Sequence, residues 1–308
     1  MAVEREERSA MRIGAVFPTT VIGSNADDIR AFAQGVEQLG FDHVITYDHV
    51  LGAPHDGRRR PLTGPYDDSH EFHEPFVLYG YLAAATSTVG FTIGVLVAPQ
   101  RQTPLIAKQA AQLQLLSKGR LRLGLGTGWN WVEYDALGAD FARRGAVLDE
   151  QVQLLRRLWS EPLVEFDGEF HHIDRAGLAP LPDHRIPLWF GGYSPPAFRR
   201  AAVHGDGLLF GHLRPDVLDG ARRLRTIVTE TGRDPDSFGM EAIIDVSRPA
   251  AEWVAAATGW RQAGGTHLSV RTMPTGGVPD SGCRTVDDHL EAMGRWLTVI
   301  DDAGLHTG

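Results

Sequence analysis

Short apolar runs alternate along the chain with longer stretches in which apolar positions recur every three to four residues. Arg12 to Phe17 is a run of the first kind, Asn25 to Leu39 is of the second and closes on Gly40, and Asp42 to Tyr47 is apolar again. This order predicts strand, helix, strand. The unit recurs as helix Pro75 to Thr88, strand Phe91 to Val97, helix Pro104 to Leu116 and strand Leu121 to Leu125. After a helix through Ala146 to Ser160 come strand Pro187 to Phe190, helix Pro196 to His204, strand Gly207 to Phe210 and helix Pro215 to Thr231. Strand Gly239 to Asp245, helix Ala250 to Ala263, strand Thr266 to Met273 and helix Thr285 to Ala303 complete the series. Crossovers through helices make the sheet parallel, and about eight strands is the number that closes a TIM (β/α)8 barrel. An open doubly wound sheet is the competing α/β architecture. The absence of a linker favours one barrel domain over residues 11–308.

Two insertions break the alternation. His49 to Glu74, after the second strand, is rich in Pro, Gly and His. Loops that follow strand C-termini form the active face of such a barrel, so this segment is expected to cover the site as a lid. Leu163 to Pro187, before the fifth barrel strand, carries Val164, Phe166, Phe170 and Ile173 around Asp167-Gly168, which predicts a small hairpin. Residues 1–10, with three Glu, two Arg and no apolar period, read as a disordered leader.

Composition narrows the function classes. Lys+Arg 30 against Asp+Glu 39 gives a net charge of −9, which argues against a general nucleic-acid or anionic-membrane surface. Cys283 is the only cysteine, so no intramolecular disulfide or cysteine-rich zinc site exists, and a reducing cytoplasm is expected. Apolar stretches such as Phe91 to Pro99 are far shorter than the roughly 20 residues of a membrane span.

The candidate chemistry clusters at predicted strand ends. Gly124-Leu-Gly-Thr-Gly-Trp129 follows a strand like a dinucleotide fingerprint, but the third glycine of that motif falls on Trp129. Its glycines either admit a flat ligand to the backbone or serve tight strand-to-loop packing. Trp189-Phe-Gly-Gly-Tyr-Ser194 runs from a strand into a helix that Ser194 caps, which suits an anion, with Arg199 and Arg200 one turn on; a merely well-capped helix is the plainer alternative. Asp48-His49 ends the second strand, where a histidine is placed for proton transfer. His55, His70 and His73 lack the helical spacing of a zinc site, so no metal is expected. Arg58-Arg59-Arg60 reads as a solvated run. Neither a nucleophile elbow nor a Walker sequence appears.

Taken together, Tyr47-Asp-His-Val50, Gly94-Val-Leu-Val-Ala-Pro-Gln-Arg101, Pro104-Leu-Ile-Ala-Lys-Gln109, Leu116-Ser-Lys-Gly-Arg120, Leu123-Gly-Leu-Gly-Thr-Gly-Trp129 and Trp189-Phe-Gly-Gly192 resemble the luciferase-like monooxygenase superfamily. The likeness is greatest to its deazaflavin branch, which uses coenzyme F420. It runs in order from Met11 to about Gly211. It implies a TIM barrel, a homodimer, and a cofactor at the C-terminal mouth beside a non-proline cis peptide at Gly94-Val95. By the same likeness Val97 lies beside the ring, Asp48, Gly126, Thr127, Gly128 and Trp129 border the cofactor, Gly191, Gly192 and Ser194 meet its phosphate, and His49 stands near the hydride-accepting carbon.

The sequence departs from the branch's sugar-phosphate dehydrogenases, whose proton-donating Glu is replaced here by Trp129. Lys108 and Lys118 are the only lysines, so the family's lysine clamp for a sugar phosphate is missing as well. These departures point to a neutral or apolar small-molecule substrate, walled by Trp129, Trp131, Tyr66, Phe72 and Phe76. The expected activity is F420-dependent hydride transfer with His49 assisting the proton. An FMN-dependent monooxygenase and a non-catalytic flavin-binding protein are the alternatives.

Overall fold

The computed structural model describes residues 10–306; the expected leader therefore lies, but for Ala10, outside the described residues. The first half of the barrel comprises β1 (Arg12–Val16), α1 (Ala26–Leu39), β2 (His43–Thr46), α2 (Pro75–Ala85), β3 (Gly90–Val97), α3 (Thr103–Leu116) and β4 (Leu121–Gly126). Next come α4 (Trp131–Ala136), α5 (Arg144–Ser160) and the hairpin β5 (Val164–Asp167) and β6 (His172–Ala176). The second half comprises β7 (Leu188–Gly191), α6 (Pro195–His204), β8 (Gly207–Phe210), α7 (Pro215–Glu230), β9 (Gly239–Asp245), α8 (Ala250–Gln262), β10 (His267–Arg271) and α9 (Val286–Asp302).

Eight strands close in the order β1-β10-β9-β8-β7-β4-β3-β2, all parallel, because β1 pairs with both β2 and β10. The open-sheet alternative is thereby excluded, and the fold is a TIM barrel. The helices cover it through apolar stripes. On α1, Ile29, Phe32, Ala33 and Val36 are buried, Asn25 Oδ1 accepts from the Asp27 amide at 2.9 Å, and Gly40 at φ 90 ends the helix. On α9 a capping box between Thr285 and Asp288 starts a helix that buries Met293, Trp296 and Ile300.

Two elements differ from the pattern. The second helix stops at Ala85 rather than Thr88, because Glu37 Oε1 takes the amides of Ser87, Thr88 and Val89 and holds them out of the helix. The six-residue α4 was not expected, since its apolar period is too short to register. The hairpin forms as expected and is pinned to α5 by Glu150, which accepts from the Glu169 and Phe170 amides. No helix among the described residues is long and apolar enough to cross a membrane.

Candidate active site

β3 ends in a bulge: its register against β4 shifts between Ile93 and Leu96, and the Gly94-Val95 peptide is cis. Asp48 braces this bulge. Its Oδ2 accepts from the Val97 amide at 2.8 Å and its Oδ1 from Arg101 Nη2 at 2.6 Å, while Arg101 also reaches Glu74 at 3.1 Å. Burial pushes the Asp48 carboxyl above its ordinary range, against the opposing pull of Arg101. Both oxygens of Asp48 thus serve the protein, and its part in the site is to hold the floor.

That floor is an apolar shelf of Gly94, Val95 and Val97 at the bottom of a cavity of about 360 Å³ in the barrel mouth. The surrounding glycines have a more specific reason than open backbone. A Cβ on Gly126 would lie 2.4 Å from Val95 Cγ2, and one on Gly191 would lie 2.7 Å from Val95 Cγ1. The first occupant of the room they leave is the Val95 side chain. Gly128, at φ 62, is confined in the same way by Val97 and also lines the mouth.

His49 faces this shelf from the end of β2. Its Nδ1 lies 3.2 Å from Glu133 Oε2, a pair the sequence reading missed. Glu133 sits on α4 and is buried, and its Oε1 also accepts from the amides of Val50 and Leu51. Burial alone would raise its pKa, but the bonds from His49, Val50 and Leu51 outweigh that and hold the carboxyl below its usual range. A carboxylate on Nδ1 fixes the ring and its tautomer, leaving Nε2 without a partner among the described residues, in a ring that borders the mouth. The carboxylate nearest His49 thus comes from α4, four residues after Trp129, and it is bonded to the protein through both oxygens. The signal was available: Asn130, whose Oδ1 accepts from the Val132 and Glu133 amides, followed three residues later by Glu is a helix-start spacing.

A second cavity, of about 310 Å³, opens on the other side of the β4 end, bordered by Thr127, Gly191, Gly192, Ser194, Arg144 and Arg200. Ser194 Oγ caps α6 by accepting from the Ala197 amide at 3.4 Å, as the spacing predicted. Arg200 is tied to Asp149 at 2.5 Å, and Arg199 is exposed and does not border the cavity. Arg144, which the sequence reading did not name, lies over Phe141 with its Nε buried and unpartnered among the described residues. An orphaned guanidinium N–H beside two glycines and a helix N-terminus suits an anionic group.

The remaining candidates divide. Trp129, Tyr66 and Phe72 surround His49, with ring centroids 5.3, 5.8 and 4.8 Å from it. Phe76 instead belongs to the core under α2. Of the arginine run, Arg58 and Arg60 lie 5.8 and 4.8 Å from the Trp131 ring, while Arg59 and Arg60 are exposed, as a solvated run would be. His55, His70 and His73 bond separately to Tyr66 O, Asp67 and Gly23 O. Among the described residues no group of three or more His, Cys, Asp or Glu side chains is placed to hold a metal.

Comparison with known proteins identifies the family and the fold. Residues 11–262 match the family described as luciferase-like monooxygenase. An F420-dependent glucose-6-phosphate dehydrogenase of Nakamurella multipartita is 31% identical over 300 residues, 91% of this chain and 80% of the relative. An uncharacterised protein of Mycobacterium tuberculosis is 34% identical over 207 residues, 65% of this chain and 71% of the relative. Among solved structures, an F420-dependent secondary alcohol dehydrogenase bound to an F420-acetone adduct superposes with TM-score 0.76 at 19% identity, over 95% of this chain and 99% of that one. A riboflavin lyase with modified FMN and riboflavin gives TM-score 0.76 at 15% identity, over 97% and 93% of the two chains, and these likenesses bear on the fold. The chain belongs to the luciferase-like monooxygenase family.

Proposed function

We propose that this protein is an F420-dependent oxidoreductase acting on a neutral small molecule, with the cofactor ring on the Gly94-Val95-Val97 shelf and its phosphate in the second cavity. The observation that carries the reading is the pairing of an apolar shelf with an adjoining polar cavity bordered by Gly191, Gly192, Ser194 and Arg144. When bound, the deazaflavin supplies a carbon that donates or accepts hydride.

The chain's own residues do the rest. Val95 and Val97 support one face of the ring, and Gly128 lets the rim approach it. Gly191, Gly192, the Ser194 helix start and Arg144 hold the anion. His49, held at Nδ1 by Glu133, moves a proton at Nε2, and the insertion bearing Tyr66 keeps water from the mouth.

The FMN-dependent alternative rests on relatives such as a pyrimidine monooxygenase of Allorhizobium ampelinum, 28% identical over 227 residues, 70% of this chain and 59% of the relative. Equilibrium titration with F420 and with FMN, followed by their fluorescence in the absence of oxygen, separates the two. Tight binding of F420 and weak binding of FMN is the expected result. The opposite order, with oxygen consumption, would replace the proposal by the monooxygenase; binding without turnover of any of a broad substrate panel would leave a flavin-binding protein.

A further inference from the structure

Away from the shelf and His49 the mouth carries a cluster of hydroxyl groups around one buried arginine, with His212 and Arg214 also on its wall. Arg271, at the end of β10, is buried and bonds through Nε to Asp245 Oδ1 at 2.7 Å, with Nη2 at 2.6 Å from the same oxygen. Its Nη1 donates to Tyr47 Oη at 3.3 Å and to the Gly211 carbonyl at 3.4 Å. Across the mouth, Thr275 Oγ1 donates to Tyr66 Oη at 3.4 Å, and the Tyr47 and Tyr66 rings lie 6.4 Å apart. All four of Tyr47, Tyr66, Arg271 and Thr275 border the same cavity as His49.

Tyr47 Oη already receives a hydrogen bond from Arg271, so its phenol proton is left to be donated, and the Tyr66–Thr275 hydroxyl pair uses one proton between its two oxygens and has a second to give. Beyond that pair, no acceptor for the Tyr47 or Tyr66 proton is present among the described residues. Burial pushes both phenols above their ordinary range, so they remain donors throughout the physiological window. Asp245 cancels the charge of Arg271, so the buried part of the pocket is donor-rich and neutral; Arg214, which also borders the cavity, is exposed and its charge is screened by solvent. Such a site selects an uncharged acceptor oxygen over an anion, and it rejects an analogue that lacks the oxygen.

We infer that Tyr47, oriented by Arg271, and Tyr66 receive the carbonyl oxygen of the substrate, so that the substrate class is neutral ketones, aldehydes or conjugated carbonyl compounds. The inference rests on the proposed oxidoreductase reading, because it places the carbonyl beside His49 and the shelf.

The test is equilibrium binding to the F420-loaded protein of three probes of one shape: cyclohexanone, methylenecyclohexane and cyclohexanecarboxylate. Cyclohexanone is expected to bind about tenfold more tightly than the hydrocarbon, and Tyr47→Phe to abolish that preference while leaving F420 affinity unchanged. Tyr66→Phe is expected to reduce it in part, and serves as the second probe should Tyr47→Phe not fold. Equal affinity for ketone and hydrocarbon, preference for the carboxylate, or a preference that survives both variants would overturn the inference. Failure to bind F420 at all would instead overturn the oxidoreductase reading, so the two failures are distinguishable.

Discussion

The same three strands bury charge at both of their ends, to opposite effect. At the N-terminal ends, His43 of β2, Glu241 of β9 and Ser269 of β10 meet Arg122 of β4. Glu241 Oε1 lies 2.7 Å from His43 Nε2 and accepts from Ser269 Oγ at 2.5 Å, while its Oε2 takes Arg122 Nη2 at 2.5 Å. Burial opposes this carboxylate, but Arg122 and His43 hold it far below the usual range, and apart from Arg122 Nη1 the cluster is closed on itself. At the C-terminal ends, Tyr47 and His49 follow β2, Asp245 ends β9 and Arg271 ends β10, and there protons and lone pairs are left facing a cavity. Polar groups that satisfy one another stabilise the barrel, whereas polar groups satisfied on one side only are available to a ligand.

Substitutions at the two ends should therefore separate activity from stability. His49→Ala is expected to slow turnover by about 10²- to 10⁴-fold with little change in melting temperature, measured by steady-state kinetics beside calorimetry. Glu241→Ala should do the reverse. Stranding Arg122 and His43 in the barrel costs about 3–5 kcal/mol in denaturant unfolding, with F420 affinity retained in the folded fraction; a selective loss of affinity would erase the contrast.

Acid should act at both ends, because burial also holds His267, at the start of β10, well below its ordinary range. Burial pushes His289, which bonds to Thr272 just beyond the end of β10, down to about 4 from an ordinary 6.5. The unfolded chain takes that proton first, so its contribution is complete above pH 6.5 and falls by about 1.4 kcal/mol per pH unit toward pH 4. Amide exchange around Thr272 across this range checks it, and His289→Gln should flatten the slope. The smallest effect belongs to the helix start at the anion cavity: Ser194→Ala should cost about 1 kcal/mol of stability and weaken F420 binding only slightly, read by calorimetry and titration.

The barrel was legible because its signals are local and repeated. Ile29, Phe32, Ala33 and Val36 fall on one helical face, and each strand is an apolar run between breakers. The site was legible where a motif sits at a strand end, as with His49, Gly191-Gly192 and Ser194. It was not legible where candidate groups pair across the barrel. Glu133 reaches His49 over 84 positions and Arg271 reaches Tyr47 over 224, and no spacing along the chain encodes either. The glycines at 126 and 191 could be seen, but not that Val95 fills the room beside them.

The short helix α4 carries two duties two residues apart. Trp131 clasps the covering insertion, through its Nε1–H to the Pro61 carbonyl at 3.1 Å and the stacked Arg58 and Arg60. Glu133 clasps the imidazole. One turn of helix thus ties the insertion to His49, so a displacement of that turn would be felt at both.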